Sequence, residues 1–145
     1  MVKNMGKKIL VIGSSNTDMT IKAPRIPQPG ETILGGEFKM GPGGKGANQA
    51  VAAARLGGKV SFVCKVGHDV FGEKSVEGYI KEGIDTSNIL YSDKASGTAL
   101  IMVDSNGENC ISVAPGANGD ITPEDIEGIG EIIKEADYVV LQLEI

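Results

Sequence analysis

The tightest constraint on this chain is the run Gly43-Gly44-Lys45-Gly46-Ala47-Asn48-Gln49-Ala50, which continues through Val51-Ala52-Ala53-Ala54-Arg55-Leu56 to Gly57-Gly58. Glycines too dense for regular structure give way within a few residues to an alanine-rich segment of high helix propensity, and a glycine pair follows where a C-cap belongs. The run therefore reads as a loop feeding a helix N-terminus. Unpaired backbone N–H groups and the positive end of the helix dipole lie there beside residues without side chains, so a hydroxyl or an anion can approach closely. Lys45 and Asn48 add side-chain polarity. A nucleotide P-loop is excluded, because it needs a glycine five residues before Gly44 and Ser or Thr after the lysine, and Lys39 and Gly46 stand at those places. A second reading stays open: the glycines serve only to let a helix pack against a strand.

At 145 residues and 41% hydrophobic content the chain can bury one sizeable core, which predicts a single domain or part of one. A net charge of -5, no basic run and no Trp argue against nucleic acid as a partner. Cys64 and Cys110 form no CxxC pair and sit in apolar, strand-like runs, so both are expected to be reduced and buried, in a cytoplasmic protein. The apolar run after Lys7-Lys8 spans only Ile9 to Ile12, too short for a signal segment, and no stretch approaches a membrane span. No membrane partner is expected. His68, the one histidine, has no second ligand beside it, so no metal site is expected.

Lys8-Ile-Leu-Val-Ile-Gly13 is a continuous apolar run of the kind found in a parallel strand buried on both faces. Ser14, Ser15, Asn16, Thr17 and Asp18 follow at its carboxyl end, where open α/β sheets place their ligand crevice. An ionised Asp18 can accept from two hydroxyls at once, or it can cap a turn. From Met19 to Met40 prolines and glycines interrupt short extended pieces, and Thr20–Lys22 and Glu31–Leu34 read as strands of a small antiparallel flap. Val60–Val66 is a further core strand, and Asp69 N-caps a helix running to about Glu82. Gly97–Val103 and Asn109–Val113 flank an Asn-Gly turn and form a hairpin. Thr122-Pro123-Glu124-Asp125 starts a helix running to about Ala136, and Tyr138–Glu144 is a buried strand that delivers Glu144 to the level of Asn16 and Asp18.

These motifs resemble the amino-terminal half of the ribokinases, sugar kinases of the PfkB family. Gly43-Gly44-Lys45-Gly46-Ala47-Asn48-Gln49-Ala50 with Gly57 and Gly67 is similar to the family's first signature. Gly13-Ser-Ser-Asn16-Thr-Asp18, Pro29-Gly30-Glu31-Thr32, Gly67-His-Asp69-Val-Phe-Gly72, Gly107-Glu108-Asn109 and Leu141-Gln142-Leu143-Glu144 follow in the family's order. The resemblance implies an α/β fold, the Rossmann-like ribokinase fold, with residues 1–145 as the amino-terminal part of one domain and lid strands from about 19–40 and 97–113 inserted. It implies that Asn16 and Asp18 hold hydroxyls of a small sugar, D-ribose. Gly44, Lys45 and Gly46 contribute through the loop, Asn48 through its amide and Glu144 from the last strand. Ala99 and Ile101 form an apolar ceiling, and the lid strands pair two copies into a homodimer. ATP, Mg2+ and a monovalent cation serve the full-length family. The family's second signature, Asp-Thr-x-Gly-Ala-Gly-Asp, which carries the catalytic base, does not occur here. The chain therefore reads as a truncated member with no catalytic residue of its own, expected to bind neither nucleotide nor metal and to transfer no phosphate. A catalytically inactive sugar-binding or self-associating module, and a kinase for a related sugar, remain as alternatives.

Overall fold

The computed structural model describes residues 6–145. Its centre is a parallel sheet in which β1 (Lys8–Ile12) lies between β4 (Lys59–Val63) and β9 (Tyr138–Leu141). Alternation along β1 explains why its sequence is apolar without a break. Val11 faces a cluster with Ala47, Ala50, Val60, Phe62 and Tyr79, from the side of α1 (Lys45–Arg55) and α2 (Val70–Lys81). Leu10 and Ile12 face Val63 and Ile129 on the other side, where Ile126, Ile132 and Ile133 of α3 (Pro123–Gly128) and α4 (Gly130–Glu135) pack. Past the exposed Lys8 at its start, a strand covered on both faces has no position left for a polar residue.

A second sheet runs in the order β3 (Glu37–Gly43), β2 (Asn16–Lys22), β7 (Gly97–Val103), β8 (Asn109–Ala114). Strand β2 is antiparallel to β3 but parallel to β7, and β7 and β8 form the expected hairpin. The Asp104 carboxylate closes that turn by accepting from the N–H groups of Asn106 and Glu108. A short parallel pair, β5 (Lys65–Gly67) with β6 (Leu90–Ser92), completes the strands.

Several sequence expectations are corrected. The strand expected at Glu31–Leu34 is absent, and β3 begins at Glu37 instead. Glu31 is held in a turn, its carboxylate accepting from Arg25 Nη1 at 2.6 Å and Gln28 N at 3.0 Å, and its own N–H donates to Gln28 O. The Arg25 bond, then that of Gln28, lowers its pKa to about 2. The glycines before the helix are not a loop: Gly41-Pro42-Gly43 pair with β2, and only Gly44 separates β3 from α1. The strand expected over Val60–Val66 divides at Cys64 between two sheets. The helix expected to reach Ala136 breaks at Ile129, where β-branched residues cluster and glycines flank the break. Cys64 is buried, as expected, but Cys110 is exposed, because β8 is an edge strand whose residues all face solvent.

Asp69 N-caps α2 as expected and does more. Its Oδ1 accepts from the N–H groups of Phe71 and Gly72, while Ser96 donates both its N–H (2.7 Å, to Oδ2) and its hydroxyl (2.7 Å, to Oδ1). Burial raises its pKa, but the bonds from Ser96, Gly72 and Phe71 outweigh burial and leave it below the ordinary 3.8. A carboxyl whose folded pKa is depressed stabilises above its unfolded pKa and loses that contribution as pH falls through the folded value. Asp69→Ala is expected to cost about 2–4 kcal/mol at pH 7, from a lost cap and two charge-assisted bonds. In chemical denaturation as a function of pH, the difference from wild type should shrink steadily below about pH 4.

Candidate functional site

The candidate site begins where β1 ends. The first turn of α1 is pressed against this exit: Ala47 N donates to Ser14 O at 2.9 Å, and a Cβ on Gly46 would stand 2.5 Å from the carbonyl carbon of Gly13. Gly44, at φ 92°, adopts a backbone that other residues resist, and a Cβ there would meet Ser14 O at 2.7 Å. These glycines therefore do let a helix pack against a strand end, which was the second reading of the motif. The same packing sets Lys45 where its ammonium pairs with the carboxylate of Glu144, which lies beyond the end of β9; that strand, expected to be buried and to run to Glu144, stops at Leu141 and is largely exposed at the sheet edge.

Two buried amide side chains hold the segment between β1 and β2. Gln142 Oε1 accepts from Ser14 N at 2.9 Å. Asn118, in a 3-10 turn at Gly116–Asp120, accepts on Oδ1 from Ser15 N at 2.9 Å and donates from Nδ2 to Ser15 O at 3.0 Å and to Asn16 Oδ1 at 2.7 Å. Below them the Ser15 hydroxyl meets the Tyr79 hydroxyl at 2.6 Å. Burial pushes the Tyr79 phenol and the Cys64 thiol well above their ordinary values, so both are neutral, inert parts of the floor. Asn118 and Gln142 were not among the expected site residues; Gln142 follows directly on β9, whereas Asn118 lies in a turn beyond β8, and no local pattern marks it.

Alternation and register then place Asn16 and Asp18 on one face of the second sheet, with Ala99 and Ile101 of β7 beside them and Gly41 and Gly43 of β3 on the other flank. Gly43 leaves room for the Asp18 carboxylate, which a Cβ there would overlap. Among the described residues no hydrogen bond reaches the Asp18 side chain, and burial holds its pKa above the ordinary 3.8. This face thus offers a carboxylate with no protein partner among the described residues, and an amide, above an apolar wall. Asn48 stands apart. It lines a cavity of about 850 Å³ with Thr17, Met40, Pro42 and Tyr79, and Thr17, Met40 and Pro42 belong to the opposite face of the sheet. Among the described residues no group of three or more His, Cys, Asp or Glu side chains could hold a metal ion, and no helix is long and apolar enough to cross a membrane.

Residues 6–143 match the model of the pfkB family of carbohydrate kinases. The chain is 44% identical to a ribokinase of Mus musculus over 138 residues, covering 94% of this chain and 43% of that protein. It is 43% identical to a deoxyribokinase of Salmonella typhi over 141 residues, covering 94% of this chain and 45% of that protein. Among solved structures, a ribokinase of Arabidopsis thaliana complexed with ribose and ATP superposes with a TM-score of 0.81 at 32% identity, covering 97% of this chain and 46% of the other. The chain spans less than half the length of these relatives.

Asp18 also carries a cost that can be measured. A carboxyl whose folded pKa is raised destabilises the native state above that pKa, and the penalty fades as pH falls toward the unfolded value. Asp18→Asn is expected to raise Tm at pH 7. Calorimetry across pH should show the gain disappearing below about pH 4.

Proposed function

We propose, because the chain belongs to the pfkB family of carbohydrate kinases, that it carries the acceptor-sugar site of an ATP-dependent ribokinase acting on D-ribose. The observation that carries this reading is Asp18, a half-buried carboxylate without a partner among the described residues, on the same sheet face as Asn16 and the apolar Ala99 and Ile101. A carboxylate partly withdrawn from water binds hydroxyl donors well, and a carbon-rich wall suits the face of a sugar ring. Gly44 and Gly46 would line the base, with Lys45 and Glu144 as a paired rim able to exchange their mutual bond for sugar hydroxyls. Asn48 enters the proposal from the sequence resemblance alone, since its side chain lines the cavity on the opposite face.

In this reading residues 1–145 form part of one domain and the four-stranded sheet is its lid, excluding water from the transferring phosphoryl group. ATP is the donor proposed for the whole protein, with Mg2+ and a monovalent cation. The described residues fit neither a nucleotide phosphate loop nor a metal cluster, so neither the nucleotide nor a cation is assigned to them. A cytoplasmic setting accords with two cysteines held as free thiols. Titration calorimetry with the 145-residue chain tests the sugar site. D-ribose should bind, and Asp18→Ala should weaken it at least tenfold, since a bond to a charged group contributes about 1.5–3 kcal/mol. No ribose-dependent ADP release is expected from this chain, because positioning and charge stabilisation at the phosphates dominate phosphoryl transfer. Binding left within twofold of wild type by Asp18→Ala would remove the assignment.

The same sheet is proposed to pair two copies. Its other face carries Ile21, Phe38, Met40 and Leu100, at 42%, 60%, 46% and 57% exposure. Ile21 stands beside Met102 in the same sheet, so it cannot roof this face as a separate layer. An exposed apolar surface of this kind favours a protein partner. Sedimentation should show a dimer, with Leu100→Glu and Met102→Glu together giving monomer. An unchanged dimer would place the contact elsewhere.

A further inference from the structure

We propose that Asn118 is the positioning residue that fixes Asn16 as a hydrogen-bond donor toward the crevice, and that it thereby selects ligand groups able to accept at that point. The inference rests on the sugar-site reading above and deepens it. Its basis is a chain of forced assignments. The Asn118 amide spans both polar groups of one buried residue, accepting from Ser15 N and donating to Ser15 O. A backbone N–H can only donate and a carbonyl can only accept, so the orientation of this amide is settled by the backbone. One Nδ2 proton then goes to Ser15 O and the other to Asn16, whose contacting atom, 2.7 Å away, must be the acceptor Oδ1. Asn16 cannot flip without setting two NH2 groups against each other, so its own Nδ2 is turned away from Asn118.

Packing enforces the arrangement. Asn118 is 2% exposed, so none of its bonds can be exchanged cheaply for water. Gly97, the register partner of Asn16, passes directly beneath the contact, and a Cβ there would overlap both Asn118 Nδ2 and Asn16 Oδ1. Among the described residues no acceptor receives the Asn16 Nδ2 protons. Two positions along β2, on the same face, Asp18 can only accept while ionised. The face therefore reads a ligand with one fixed donor and one fixed acceptor. A vicinal diol satisfies both, through a lone pair on one hydroxyl and the proton of the next.

A double-mutant cycle separates this role from a merely structural one. D-ribose affinity of the 145-residue chain is measured for wild type, Asn118→Ala, Asn16→Ala and the double variant, and the Asn16 side-chain N–H signals are followed by NMR. Asn118→Ala should weaken ribose about five- to tenfold alone but less than twofold in the Asn16→Ala background, as losing one oriented hydrogen bond implies. The Asn16 signals should move from their single wild-type position. Gly97→Ala, which strikes the contact and leaves Asn118 in place, should reproduce both effects and serves if Asn118→Ala does not fold. Equal weakening in both backgrounds, or unmoved Asn16 signals, overturns the inference. If wild type binds no ribose, the sugar-site reading fails, and the NMR comparison alone still decides whether Asn118 orients Asn16.

Discussion

At Gly46 the first turn of α1 lies against the backbone of Gly13 and Ser14, closer than any side chain would permit. This contact joins the parallel sheet to its first helix, and the rest of the site is referenced to it. The bond from Ala47 N to Ser14 O ties the helix to the strand exit. Ser14 and Ser15 lead directly into β2, so the position of α1 also sets where the second sheet leaves the core. A methyl group at residue 46 would separate the layers and move Asn16 and Asp18 relative to Lys45 and Glu144.

Between the sheets the backbone has left one ladder and not yet entered the next, which would ordinarily strand its polar groups away from water. Gln142 and Asn118 supply the missing partners. Each arrives from a distant part of the chain, 128 positions from Ser14 and 103 from Ser15, and each is buried. An amide matches the peptide group in geometry and in its ability both to donate and to accept, so these side chains act as short substitutes for a neighbouring strand. The joint between the two sheets is consequently held by hydrogen bonds where a loop would lack them.

The second sheet satisfies two demands that conflict with its own stability. One face holds a carboxylate, Asp18, with no partner among the described residues, whose raised pKa reflects lost hydration. The other leaves Phe38, Met40 and Leu100 in water. A sheet evolved only to be stable would pair the charge and bury the apolar groups. Both departures leave surfaces whose free energy would fall on being covered, which is what the proposed sugar site and pairing face require.

Much of this was legible along the chain. The unbroken apolar run of β1, the Asp69 cap, the Thr122 capping box, the Asn-Gly hairpin and the alanine-rich helix are local patterns, each enforced by residues within a few positions of one another. The family motifs single out Asn16, Asp18 and Lys45 as candidates. Tertiary structure decided the rest. It turned the expected glycine loop into the last residues of β3, moved that strand from Glu31 to Glu37, exposed Cys110 on an edge, and set Asn48 on the far side of the sheet from Asp18. It also brought Asn118 across 102 positions to Asn16 over a glycine that leaves them room. Strand register and the meeting of buried amides depend on which backbones pass within hydrogen-bonding distance, and that is settled only when the layers pack.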